Sequence, residues 1–278
     1  MSTPSTTPNW DNHSRAQANL QWRKQSAIMG QKVTDAIIAA ARVAQGMQVL
    51  DIACGSGEPA ISIATLLNGS GSVIGVDLSQ GALGIATERA RQRQLTNIKF
   101  QSADAHQLPF PDNSFDRVTC RLGVMFFNDL PRALREMHRV MKPGGKVVLL
   151  AWGPMNQPYF ETTIGTVLRT VPGADMPESA KGMFAFGVPR SLAQKLIDAG
   201  FTTVEEKFSK EPWIWPGIPK DLWEYFQELA VPFAPLLKSI PPELRHEVDA
   251  AVLEAISHYY DGHEIKFTAT VNITSGMK

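Results

Sequence analysis

Three aspartates, Asp51, Asp77 and Asp104, each close a short apolar run, in "VLD", "SVIGVD" and "IKFQSAD". An ionised carboxylate only accepts hydrogen bonds, so such residues at strand ends can capture hydroxyls, amines and loop N–H groups. Asp51 stands in "VLDIACGSGEP", where the small residues Ala53, Gly55 and Gly57 alternate with others. Glycines there let the chain turn sharply and let a ligand approach without meeting a Cβ atom. The Asp51 carboxylate is placed to accept from an ammonium group or from loop N–H groups. Pro59 suits the first turn of a following helix, where a missing N–H costs nothing. The loop lacks the GK[ST] ending of a phosphate cradle. Asp77, twenty-six residues after Asp51, ends its run where it can accept from both hydroxyls of a ribose. Leu78 beyond it offers an apolar contact to a base, and Ser79 a helix cap. Asp104 can accept from an exocyclic adenine amine, while the backbone of Ala105 addresses a ring nitrogen. Together the three acids imply a nucleoside and leave open which one. His106 titrates near neutrality, but its neighbours place it at the nucleoside end of the site rather than at a reacting atom.

Holding these groups together requires strands that end side by side. Short apolar runs at "MQVLDIA", "SVIGVD", "NIKFQSAD", "FDRVTCRL" and "GKVVLLAW" read as five strands. Helical patterns fall between them, at "PAISIATLL", from Ser79 to about Arg93, and from Asp129 to Met141, where Leu130, Leu134, Met137 and Met141 recur at helical spacing. Runs apolar on both faces need helices on both sides, which predicts a doubly wound α/β core with a largely parallel sheet. Ligands of such sheets bind beyond the carboxyl ends of the strands, so functional residues are expected at 51–59, 77–80, 104–106 and 120–125. The chain then divides into an N-terminal tail and helical cover (1–46), an α/β cofactor-binding core (47–210), a helical substrate cap (211–262) and a final core strand (263–278). The cap opens on "EPWIWPGIPKDLWEYFQEL" and continues through Leu244, Val248, Val252, Ile256 and Tyr259 at helical spacing. Such an interval is too long and too periodic for a bare loop.

The 27 basic and 27 acidic side chains of the 278 residues cancel, which removes the whole-molecule field that would draw the chain onto nucleic acid or an anionic membrane. No window has the run of about 18 apolar residues of a spanning helix, so stable membrane insertion is not expected. The start "MSTPSTTPNW" lacks a signal-peptide pattern. Cys54 and Cys120, both in apolar or glycine-rich stretches, read as reduced, buried thiols, and a cytoplasmic location is expected. Buried packing of Cys120 is favoured over a nucleophilic role, since no histidine is paired with it.

In the order "VLDIACGSGEPA", "VIGVDLS", "SADAHQLPFPDNSFD" and "ALREMHRVMKPGGKVVL", the stretch from about Val49 to Trp152 resembles the class I S-adenosylmethionine-dependent methyltransferases, and within them the quinone-biosynthesis-like branch. The resemblance implies a seven-stranded, mostly parallel sheet of the Rossmann-like methyltransferase type, and S-adenosyl-L-methionine as cofactor. It maps Asp51, Ala53, Gly55 and Gly57 onto the first motif, Asp77 and Leu78 onto the ribose position, and Asp104 with Ala105 onto the adenine position. The methionine part of the cofactor is expected beside Cys120, Arg121, Leu122 and Gly123. Arg121 pairs either with the cofactor carboxylate or with a structural partner. A nicotinamide dinucleotide also uses a glycine loop and an acid after the second strand, but Glu58 adds negative charge where its pyrophosphate would lie. A sulfonium carries no phosphate.

Methyl transfer from a sulfonium needs alignment of acceptor, methyl and sulfur more than it needs a strong base. Met125, Phe126 and Phe127 follow the fourth strand, and Trp213, Trp215, Trp223, Tyr225 and Phe226 crowd the cap. That composition suits a small hydrophobic or aromatic acceptor, a phenolic or amine-bearing specialised metabolite rather than a central quinone, although Leu222, Phe226 and Leu229 read better as the cap's own core. Oxygen, nitrogen and carbon methylation stay open, as does a homodimer. His13 and His258 are the candidate bases. After the fourth strand the chain has "CRLG" instead of the Asn/Asp-Pro-Pro-Tyr/Phe turn of adenine-modifying enzymes, which with the neutral charge weighs against nucleic acid. Asn128 and Asp129 read as a helix cap rather than as metal ligands. A nicotinamide-dependent oxidoreductase and a noncatalytic nucleoside-binding module remain as alternatives.

Overall fold

The computed structural model describes residues 21–278. Its strands are β1 (Gln48–Ile52), β2 (Ser72–Asp77), β3 (Ile98–Ser102), β4 (Phe115–Arg121), β5 (Met141–Trp152), β6 (Thr202–Trp215) and β7 (Ile265–Met277). The helices are α1 (Arg23–Met29), α2 (Gln31–Ala41), α3 (Ala60–Leu67), α4 (Gln80–Gln92), α5 (Leu130–Val140), α6 (158–170, with a π-helical turn at Glu161–Gly165), α7 (Glu178–Lys181), α8 (Ser191–Asp198), α9 (Pro219–Leu229), α10 (Ala234–Lys238) and α11 (Arg245–Ser257).

The strands form one seven-stranded sheet in the order β3-β2-β1-β4-β5-β7-β6. β1 pairs in parallel with both β2 and β4, β2 with β3, and β4 with β5, while β7 runs antiparallel to β5. The fold is therefore the Rossmann-like α/β arrangement expected, with the strand order reversing at β1. The carboxyl ends beside that reversal are where ligands of such sheets bind.

Two compact units emerge. One comprises Thr34–Gly153, Ala185–Ser209 and Val271–Lys278; the other comprises the described residues up to Val33 with Pro154–Phe184 and Lys210–Thr270. In the first, Ala60, Ile63, Ala64 and Leu67 of α3 form a core cluster with Val49 of β1 and Val73 of β2, and Ile98 and Phe100 pack on it. Each fully buried Val, Leu or Ile side chain among them is worth about 1.5–3 kcal/mol. The apolar face of α5 consists of Ala133, Leu134, Met137 and Val140. Met141, which continues the helical spacing in sequence, is instead the first residue of β5 and pairs with Phe115.

In the second unit, Tyr159 on α6 packs edge-on against Trp213, Phe226 and Phe267 at 5.7–5.9 Å between ring centres, and Phe226 stacks on Phe233 at 5.6 Å. α11 buries Val248, Val252 and Ile256, and Asp249 accepts from the indole N–H of Trp223 at 2.8 Å, tying α11 to α9. β6 continues through "PWIW", a stretch whose aromatic and proline content points to the cap. Pro212 is tolerated because β6 is the edge strand, where a missing ladder donor is harmless.

Candidate cofactor site

β1, β2 and β3 finish level, with Ile52 paired to Val76 and Asp77 to Ser102, so the loops after them open together. After β1 the chain turns through Ala53 at φ 55°, Gly55 at 52° and Gly57 at 109°. The Gly57 N–H donates to the Cys54 carbonyl at 2.8 Å, and the Ile61 N–H to the Gly57 carbonyl at 2.7 Å, which joins the loop to α3. A Cβ on Gly57 would lie 2.5 Å from Ile61 Cδ1, whereas one on Gly55 would meet nothing within 4 Å. Gly57 thus serves the packing of the turn, and Gly55 leaves space above it. Gly123, after β4, lets its backbone approach this loop, since a Cβ there would sit 2.4 Å from that of Ala53 and 2.9 Å from Cys120 Sγ.

Asp51 is fully buried. One carboxylate oxygen accepts from the Thr119 hydroxyl at 2.7 Å and the other from the Ala60 N–H, the first of α3, at 3.2 Å. Burial pushes its pKa up to about 7, against the Thr119 hydroxyl, the Arg121 charge and the Ala60 N–H, which all favour the anion. The position offered an ammonium group or loop N–H groups as donors; those present are a strand hydroxyl and a helix N–H. Asp77 receives the Gly55 N–H on Oδ2 and the Ser79 N–H on Oδ1, at 2.8 and 2.9 Å. Leu78 projects past the strand end with 62 % of its surface exposed, and Ser79 caps α4 by accepting from the Ala82 N–H.

Asp104 directs Oδ1 to both the backbone N–H and the ring Nδ1 of His106, at 2.9 and 2.6 Å. Its Oδ2 has no hydrogen-bond partner among the described residues, and the side chain is exposed. Partial desolvation raises the Asp104 pKa, but the hydrogen bonds from the His106 backbone N–H and ring outweigh it and hold the carboxyl below its usual range. His106 Nε2 accepts from the Asp129 N–H at 3.2 Å, which assigns the proton to Nδ1. With both nitrogens engaged, His106 braces the loop after β3 against the start of α5. Asp129 caps α5 by accepting from the Arg132 N–H, and Ala105 is buried beneath the loop.

Cys54 and Cys120 are buried free thiols, and burial drives both pKa values well above the ordinary thiol range. Arg121 donates from Nε to the Glu58 carbonyl at 3.4 Å. Glu58 is not the bare negative charge that its position suggests. Arg89, on α4, binds its carboxylate at 2.8 Å and also donates to the Ser56 carbonyl, while Ser62 donates to its other oxygen. The two charged side chains are only 10 % and 12 % exposed, and removing one partner of such a pair costs about 3–5 kcal/mol. The neutralised Glu58 therefore does not discriminate against a pyrophosphate. Arg89 and Thr119 are the site-building residues that spacing alone does not single out. Arg89 lies close to Arg91 and Arg93 at the end of one helix, and Thr119 gains meaning only once β4 is known to lie beside β1.

Of the two histidines read as bases, His13 lies outside the described residues. His258 is exposed just past the last turn of α11; its backbone N–H donates to the Ile256 carbonyl, and its ring has no hydrogen-bond partner among the described residues. Among those residues, no group of three or more His, Cys, Asp or Glu is placed to hold a metal ion, and no helix is long and apolar enough to cross a membrane.

The residues present suit a sulfonium nucleoside: open space at Gly55, a strand-end carboxylate at Asp77, an exposed apolar Leu78, and an exposed Asp104 with one carboxylate oxygen unpartnered among the described residues. Fold and site together define an S-adenosylmethionine-dependent methyltransferase. Residues 26–171 match the ubiE/COQ5 methyltransferase family, and the chain belongs to that family. Demethylmenaquinone methyltransferase from Geobacillus sp. (strain WCH70) is 42 % identical over 180 residues, which span 59 % of this chain and 75 % of that protein. The Listeria welshimeri demethylmenaquinone methyltransferase is 31 % identical over 201 residues, 67 % of this chain and 78 % of its own length. Phosphoethanolamine N-methyltransferase 2 of Haemonchus contortus, solved with phosphomonomethylethanolamine and S-adenosylhomocysteine, shares the fold with a TM-score of 0.60 at 18 % identity, covering 97 % of this chain and 59 % of that one. The nicotinamide alternative falls on family membership and not on Glu58.

Proposed function

We propose that this methyltransferase acts on a small, flat, oxygen-bearing hydrophobic metabolite, with the nucleoside of its cofactor held at Asp77, Leu78, Asp104 and Ala105 and the amino-acid end beside Ala53, Gly55, Gly57, Cys120 and Arg121. When bound, S-adenosylmethionine supplies a methyl group on a positively charged sulfur. The remaining task of the chain is to orient the acceptor and exclude water. The observation that carries the acceptor class is Trp215: its indole N–H is fully buried and has no hydrogen-bond partner among the described residues. An orphaned buried donor costs about 1–3 kcal/mol, which a ligand oxygen would recover. The rings of Trp22 and Tyr225 lie 5.6 and 4.8 Å from it, an apolar setting for an aromatic body.

The family match ends at residue 171, before α9 and α11, which supports an acceptor particular to this chain, a specialised metabolite bound by the 211–262 cap, over the quinone precursor named for its relatives. The enzyme is proposed to work in the cytoplasm on a small molecule and not on nucleic acid, with a homodimer compatible. Where the methylated atom arrives protonated, His13 or His258 takes the proton. The test is methyl transfer from labelled cofactor across a panel of phenols, quinols and amines. Turnover of an oxygen-bearing aromatic with a KM raised about tenfold in Trp215→Phe, at unchanged S-adenosylhomocysteine affinity, is the expected result. Cofactor binding without transfer to any acceptor would point to a binding module.

A further inference from the structure

The glycine loop leaves β1 at Asp51 and Ile52 and enters α3 at Ala60, so its shape depends on what joins those two ends. Asp51 joins them through the bond from the Ala60 N–H to its Oδ2. The carboxylate is oriented by Thr119, which the parallel register of β1 and β4 sets directly beside Asp51. The Thr119 hydroxyl donates to Oδ1 at 2.7 Å, and both residues are fully buried. No other side chain hydrogen-bonds the Asp51 carboxylate among the described residues.

Resting on the cofactor reading above, we propose that Thr119 is a positioning residue for the cofactor: its hydroxyl aims the Asp51 carboxylate at the start of α3 and thereby fixes the loop from Ala53 to Gly57 that receives the ligand. The carboxylate makes this bracket strongest when ionised, because both donors point at the same charge. The charged and titratable groups around it are Arg121 on β4, Glu58 and Cys54 in the loop, Cys120 on β4 and Asp77 on β2. Of these, Arg121 favours the anion and Glu58 opposes it. Burial brings the titration of Asp51 to about 7 and the Thr119 hydroxyl holds it down. Cofactor affinity should consequently weaken as pH falls through that titration.

Binding of S-adenosylhomocysteine to the full chain, measured calorimetrically from about pH 5 to pH 9, tests the proposal, with melting curves to confirm folding. Thr119→Val keeps the shape and loses the donor. It is expected to bind about tenfold more weakly near neutrality and to move the pH of half-lost affinity upward, while Thr119→Ser restores both. Asp51→Asn is expected to bind weakly with no such pH dependence. A Thr119→Val protein with wild-type affinity and pH curve, a Thr119→Ser protein shifted as far as the valine variant, or an Asp51→Asn protein that keeps the wild-type curve would each overturn the role. If the valine variant does not fold, the asparagine and serine proteins decide the question. Failure of the wild-type protein to bind at all would overturn the cofactor reading instead.

Discussion

A carboxyl group buried completely has to be either desolvated as an anion or kept protonated, and Asp51 sits near the balance. Its folded pKa is raised from 3.8 to about 7 by burial. Between those values the folded chain holds a proton that the unfolded chain has released. Stability from this group is thus fully present below about pH 4 and is lost as pH rises to about 7. Denaturant unfolding at a series of pH values should show wild type losing stability relative to Asp51→Asn across that window, by an amount on the order of a few kcal/mol, with no further change above it. Asp104 and Glu136 have lowered carboxyl values and oppose the trend in wild type and variant alike, so the difference isolates Asp51.

At the scale of elements, the two loop glycines have separate duties. Gly57→Ala is expected to destabilise the fold, because its φ of 109° strains any other residue and its Cβ would press on Ile61 at 2.5 Å. Gly55→Ala meets open space at a φ of 52°, which costs about 1 kcal/mol, and should instead weaken S-adenosylhomocysteine binding. Melting temperature and calorimetric affinity separate the two outcomes. The alternation of apolar runs with helical spacing made β1 to β5 and the capping residues Ser79 and Asp129 legible in advance, since each rests on local periodicity or a local hydrogen bond. Thr119 was not legible, because its partner is 68 positions away and only strand register brings them together. The reach of β6 through Trp215 was hidden for a related reason: Pro212 argues against a strand unless that strand is known to be at the edge.

For the molecule as a whole, every proposed cofactor-binding residue belongs to the unit containing Thr34–Gly153, and the aromatic cluster with Trp215 belongs to the other. Hydrogen exchange should follow that division. S-adenosylhomocysteine is expected to protect 49–60, 75–80 and 103–106, and an acceptor to add protection within 211–262; protection of the second set by S-adenosylhomocysteine alone would count against the assignment. The sheet also sets an order of assembly. β6 precedes β7 in the chain, yet among the described residues its sole neighbour in the sheet is β7. A nascent chain that has emerged only as far as residue 264 exposes a fourteen-residue strand with both hydrogen-bonding edges bare. Translation pausing in that interval is therefore where this protein would most depend on a chaperone.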